Sequence, residues 1–147
     1  MQLSKNFELQ EFLLSQTAIR KGIENEITPE HLESLKKLVN RALQPLREKV
    51  NRVIAISSGY RSEALNKAIG GSSKSQHCKG EAVDFSIQGM TSTEGCNFII
   101  QSGIEFDQLI DEQTWIHMSY SEGKNRKEVL TATFSPNGVS YSKGLRQ

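Results

Sequence analysis

Apolar residues recur along this chain in two rhythms. From Leu32 onward they return every three or four positions, as Leu32, Leu35, Leu38, Val39, Ala42, Leu43 and Leu46. That spacing lines one face of a helix. Thr28-Pro29-Glu30 precedes them and supplies an N-cap, a proline at the first helical position and an acid in the first turn. The pattern predicts a long core helix, ended or kinked near its last turn by Pro45, which lacks an amide proton and crowds the carbonyl four residues back. Shorter apolar runs, rich in β-branched and aromatic residues, predict strands at 53–57, 82–87, 105–110, 115–120 and 128–134. Pro136-Asn137-Gly138 is a turn signal, so Val139 to Tyr141 is expected to pair back as a hairpin. Three shorter helices are expected. One carries Phe7, Leu9, Phe12 and Leu13. A second runs from Glu63 to Ile69 behind a Ser62 cap, and a third follows Thr91-Ser92-Thr93-Glu94 and closes at Gly103. Residues 1–27 read as a docking arm. The whole chain, 1–147, is expected to form one domain.

Composition narrows the function classes. A formal net charge of +1 gives no strong pull toward nucleic acid or an anionic membrane. No run is long and apolar enough to span a bilayer, and Met1 to Glu8 lacks an apolar leader, so synthesis in the cytoplasm without a signal peptide is expected. Cys78 and Cys96 are too few for a disulfide scaffold, and a reduced state is expected.

Candidate chemistry centres on Ser75-Gln76-His77-Cys78-Lys79-Gly80-Glu81-Ala82-Val83-Asp84-Phe85. His77 and Asp84 stand seven apart, with a glycine turn and the start of a strand between them. A loop position frees His77 to converge on Asp84, and imidazole plus carboxylate is two-thirds of a catalytic zinc site. The third donor would come from one of the other two histidines, His31 in the first turn of the long helix or His117 on a strand. Cys78 points away from His77 if the segment is extended. Arg61 lies where a strand gives way to a helix, a rigid place from which a guanidinium can grip a carboxylate with two parallel bonds. Trp115, His117 and Ser119 share one strand face, where Trp115 is open to a cleft or a core position.

Taken together, Ser58-Gly59-Tyr60-Arg61-Ser62, then Ser75-x-His77-x-x-Gly80-x-Ala82-x-Asp84, then Trp115-x-His117, resembles the zinc D-alanyl-D-alanine carboxypeptidase family. That family includes phage endolysins and bacterial D,D-carboxypeptidases, and its fold is shared by the hedgehog signalling domain. Phe106-Asp107-Gln108-Leu109-Ile110 shortly before Trp-x-His is similar to its small phage and bacterial members. The resemblance implies an α+β fold, a small antiparallel sheet with helices packed on one side, in agreement with the strands read from the pattern. It implies one zinc ion held by His77, Asp84 and His117. Arg61 would bind the terminal carboxylate of a peptidoglycan stem peptide, and Ser75 would help hold the substrate near that arginine; the strand face shared with His117 makes Trp115 a further candidate for the substrate cleft, with a core position equally open.

One position departs from that pattern. Many members carry the catalytic acid three residues before the last histidine ligand, and here Thr114 stands there. Glu112, in the turn leading into the His117 strand, is therefore expected to be the general base, with Asp107 and Asp111 as alternatives. The implied function is hydrolysis of stem peptides, as a D-Ala-D-Ala carboxypeptidase or an L-Ala-D-Glu endopeptidase, with phage lysis as one setting. A monomer is expected, acting at the cell wall after delivery by lysis machinery or a virion, without nucleic acid or membrane insertion. The competing reading is a non-catalytic, zinc-stabilised cell-wall-binding or virion structural module.

Overall fold

The computed structural model describes residues 1–145. Helices α1 (Leu9–Leu13), α2 (Gln16–Lys21), α3 (Pro29–Leu38) and α4 (Gln44–Val50) come first, followed by β1 (Ile54–Ser58) and α5 (Glu63–Ala68). A 3₁₀ turn at Gln76–Lys79 leads into β2 (Ala82–Ile87). Then come α6 (Ser92–Gln101), β3 (Gln108–Asp111), β4 (Ile116–Ser119), β5 (Glu128–Ser135) and β6 (Gly138–Lys143). The class is α+β, as expected. Helix α2, capped by the Ser15 hydroxyl, was not anticipated because its residues are mostly polar and only Ala18 is buried.

Pro45 does not end the long helix. A π turn, Val39–Leu43, joins α3 to α4, and the Gln44 amide reaches back five residues to the Val39 carbonyl. Widening the helix by one residue per turn lets the chain run on past the proline to Val50. There Asn51, in the left-handed region at φ 50°, closes it.

The six-stranded sheet has the order β1-β2-β4-β3-β5-β6. It is mixed, which corrects the expectation of a wholly antiparallel sheet: β3 and β5 run parallel, and every other pair is antiparallel. The reason is spatial. β4 lies between β2 and β3, so neither of its edges is open to β5. The chain leaves β4 at the end of the sheet where β3 begins, passes β3 in a short loop, and starts β5 in the direction of β3. Asp107 holds that loop in place. Its backbone carbonyl accepts from the Glu128 amide at 2.9 Å, and its carboxylate accepts from the Arg126 backbone amide at 2.9 Å.

The two faces of the sheet differ. Val83, Phe85, Ile87, Leu109, Ile116 and Met118 point to one face and join Leu35, Leu38, Val39, Ala42, Leu43 and Leu46 in a single buried cluster. Phe7 and Phe12, from the expected docking arm, are buried in the same cluster. Asp84, Ile110 and His117, on the alternate positions, point to the other face.

Gly80 closes the 3₁₀ turn at φ +72°, and a Cβ there would collide with the backbone carbonyl oxygen of His31 on α3. A left-handed conformation costs an L-residue about 1–2 kcal/mol, and a backbone collision adds to it. Gly80→Ala is therefore expected to lower the melting temperature by several degrees and to displace the turn that carries His77. An unchanged melting curve would show that the turn and α3 are not in close contact.

Candidate metal centre and active site

Three segments converge on the open face. β2 supplies Asp84 and β4 supplies His117, and these two are direct cross-strand partners. The turn ahead of β2 supplies His77. Its start is fixed by Ser75, whose hydroxyl accepts from the His77 amide at 3.2 Å. The His77 carbonyl in turn accepts from the Arg61 amide at 3.1 Å. The turn is thereby pinned to the strand-to-helix junction after β1, where Gly59 packs so closely on the Phe12 backbone that no side chain fits.

His77 Nδ1 lies 2.8 Å from the Gly59 carbonyl oxygen. A carbonyl only accepts, so Nδ1 carries the proton and Nε2 presents a lone pair. That lone pair faces Asp84 Oδ1 at 3.3 Å, and His117 Nδ1 lies 2.9 Å from the same oxygen. Two lone pairs opposed at this distance repel unless a cation stands between them. Ligand atoms from His77, Asp84 and His117 all fall within 4.8 Å of one another. The donor set therefore fits a tetrahedral metal with one position left over, and the bond to Gly59 is the outer contact that sets the ring of a metal-binding histidine. His117, not His31, completes the group. The His31 imidazole sits against Tyr60, with Nδ1 3.3 Å from the phenol oxygen. Cys78 is not among the donors either, and burial pushes its thiol up.

Asp84 is the electrostatic centre. Burial alone would raise its pKa, but the His117 contact at Oδ1, with the second imidazole beside it, more than offsets this, and the carboxyl stays well below its usual range. Arg61 adds to the field, with Nη2 3.7 Å from Asp84 Oδ2, while its Nε and Nη1 reach Ser58 Oγ and Asn66 Oδ1 at 3.3 Å.

A cavity of about 630 Å³ opens above this group. Arg61, Ser75, Trp115 and Glu112 line it together with the three donors, so the structure gathers nearly every residue singled out in the sequence. Glu112 is buried without a side-chain hydrogen bond among the described residues, and burial pushes its carboxyl up. The other two acids are committed elsewhere. Asp111 accepts from the Ser92 and Thr93 hydroxyls at the start of α6, each at 2.5 Å. Asp107 accepts from Arg126 Nε and Nη2 at 2.9 and 3.0 Å and from Gln76 Nε2 at 3.0 Å. Thr114 is exposed in the turn.

Sequence reasoning missed the far wall of the cavity, formed by Leu130, Phe134 and Tyr141. The signal was present in the hairpin. A two-residue Pro136-Asn137 turn sets Phe134 opposite Val139 and Ala132 opposite Tyr141, and partners in a pair share a face. Phe134 meets the Trp115 ring at a centroid distance of 6.0 Å. Burial and the nearby charges of Glu112 and Asp84 push the Tyr141 phenol up.

The Asp107 arrangement makes a stability prediction. Burial would raise its pKa, but bonds from Arg126 and Gln76 outweigh burial and hold it below the ordinary carboxylate value. A depressed folded-state pKa stabilises the fold above the unfolded value of about 3.9, and this contribution is lost as pH falls through the folded value. Asp107→Asn is expected to cost about 1–3 kcal/mol at pH 7, because Arg126 and Gln76 lose a charged acceptor. Denaturant unfolding at pH 7 and pH 3 checks this: the gap between the two proteins should narrow at the lower pH, and a constant gap would deny the ion pair its role.

Comparison with known proteins agrees with this geometry. No curated protein matches the chain. Residues 5–119 match the family model described as Peptidase M15, a span that covers most of the sequence and takes in His77, Asp84, Glu112 and His117. The chain belongs to the peptidase M15 family, a family of zinc-dependent peptidases.

Proposed function

We propose that this protein is a zinc peptidase that hydrolyses peptidoglycan stem peptides, with His77, Asp84 and His117 as the ligands of one zinc ion and Glu112 as the general base. The observation that carries the reading is Glu112: a buried carboxylate, free of side-chain partners among the described residues, that shares a cavity with the donor group. Bound zinc supplies a Lewis acid that polarises a carbonyl oxygen and lowers the pKa of water. Glu112 takes the proton of the attacking water and returns it to the leaving amine nitrogen. Burial suits it to the first half of that exchange, because a raised pKa makes a carboxylate a stronger base. Arg61 holds the free carboxylate of the leaving residue, which favours bonds near a C-terminus and hence D-Ala-D-Ala carboxypeptidase over L-Ala-D-Glu endopeptidase activity. Ser75 keeps the His77 turn in place beside the substrate. A phage lysis enzyme is one setting for such chemistry.

Thr114 speaks for a second reading, a zinc-stabilised module that binds cell-wall peptide without cutting it. Such a module would keep the three donors and have no use for Glu112. The two are separated by measuring zinc content and turnover of purified peptidoglycan for the wild type and Glu112→Gln, with mass spectrometry of the fragments to name the bond. Glu112→Gln is expected to keep one equivalent of zinc and to lose at least about 100-fold in turnover. Zinc binding without cleavage by the wild type would favour the module. Cleavage that survives in the variant would place the base elsewhere.

Alanine at His77, Asp84 or His117 is expected to lower zinc content together with activity, and full occupancy in any one variant would strike that residue from the ligand set. Arg61→Lys is expected to lose about tenfold or more in kcat/KM with zinc content retained, because an ammonium cannot supply the planar fork. An unchanged kcat/KM would remove Arg61 from the substrate site.

A further inference from the structure

The residues of the cavity lie along rows that cross the sheet. Ser58 on β1 pairs with Asp84 on β2, Asp84 with His117 on β4, His117 with Ile110 on β3, and Ile110 with Leu130 on β5. Arg61 stands at the β1 end of this row, bonded to Ser58. The β5–β6 hairpin stands at the other end. One position beyond β3, Glu112 is level with Ala132, and Ala132 pairs with Tyr141. Tyr141 and Glu112 line the same cavity, and Glu112 is near enough for its charge to act on the Tyr141 phenol. Phe134 and Tyr141 are about half exposed although both line the cavity, which marks a wall with an uncovered apolar surface.

We propose that the β5–β6 hairpin is the subsite for the acyl side of the substrate, the residues that precede the scissile bond. The inference rests on the stem-peptide reading and adds a direction to it. If Arg61 holds the leaving residue at the β1 end and the donor group stands in the middle of the row, the acyl side extends over Leu130, Phe134 and Tyr141. From β4 to β6 the row crosses three strand gaps, about 14 Å in all, which an extended peptide spans with about four residues. The aliphatic stems of those residues lie on the Trp115–Phe134 pair and on Tyr141. The hairpin lies outside the segment that matches the family model, residues 5–119. The enzyme is therefore a processor of extended stem peptides and a poor dipeptidase.

The test uses the zinc-loaded full chain and N-acetylated peptides that share one C-terminal D-Ala-D-Ala pair and carry zero, one, two or three residues before it. The expected result is a kcat/KM that rises about tenfold or more over the series, which corresponds to about 1.4 kcal/mol of added contact. Phe134→Ala and Tyr141→Ala should each lower kcat/KM several-fold on the longest peptide and far less on the shortest. A second readout needs no turnover. Trp115 is the chain's single tryptophan, so titration with the N-acetylated stem tripeptide should change its fluorescence to saturation, and Tyr141→Ala should weaken that binding. Equal kcat/KM across the series, or a length dependence that survives both variants, would overturn the hairpin subsite while leaving the peptidase reading intact. If no peptide of this series is cut, the D-Ala-D-Ala bond is not the substrate bond and the titration decides on the hairpin: saturable binding weakened in Tyr141→Ala upholds it as the surface that holds the stem peptide, and a flat titration overturns it.

Discussion

A buried carboxylate needs compensation, and the compensation of Asp84 organises this molecule. The charge sits on a central strand, where solvation cannot reach it well. Its partners come from three separate stretches: an imidazole from the neighbouring strand, a second from the turn ahead of its own strand, and a guanidinium from the junction after β1. None is local in sequence except His77. Each is held in turn by backbone, because the Gly59 carbonyl orients His77, the Arg61 amide binds the His77 carbonyl, and cross-strand pairing fixes His117. Small residues permit the approach, since the Gly59 and Gly80 positions leave no room for a Cβ. The site is thus a set of mutually dependent close contacts, and the core behind it is the wall they are mounted on.

A second buried carboxylate has the opposite role. Asp107 is satisfied entirely by protein groups, and what it secures is a route of the chain. By binding Arg126 and carrying the Glu128 amide on its carbonyl, it lays β5 alongside β3. That placement extends the open face of the sheet beyond the donor group and brings aromatic residues from the C-terminal hairpin to the cavity. The contrast between Asp107 and Glu112 is one of partners: one acid is fully bonded, and the other is buried in the cavity wall without a side-chain hydrogen bond among the described residues.

Much of this was legible in the sequence, for identifiable reasons. Leu32 to Leu46 announced a helix through their spacing, and the strands around Asp84 and His117 announced themselves through β-branched runs whose alternate positions are apolar. His77, Asp84 and His117 were legible because they recur in an ordered set of motifs. What escaped depended on long-range geometry. Pro45 broke a local rule that a π turn then absorbed, an event that no propensity foretells. The parallel β3–β5 pair followed from which strand edge was already occupied, a fact about β2 and β4. Glu112 was expected as the base only through the resemblance, with Asp107 and Asp111 left open, because what separates these three acids within six positions is the partners that surround them. Phe134 and Tyr141 passed unnoticed because an edge hairpin gives no hint of what it faces.

The placement of that hairpin has a consequence for how such a domain diversifies. It is the last element among the described residues, it lies at the border of the sheet, and its large side chains are exposed outside the helical core. The first half of β5 is tied to β3 and the core, but substitutions or insertions toward the turn, from Phe134 to Tyr141, fall away from the buried donor group and its supporting contacts. On the proposed reading, the residues that would do the chemistry are constrained from every side, and the outer part of the substrate wall is nearly free to drift. A lineage built on this plan can change what it cuts many times over while never revising how it cuts.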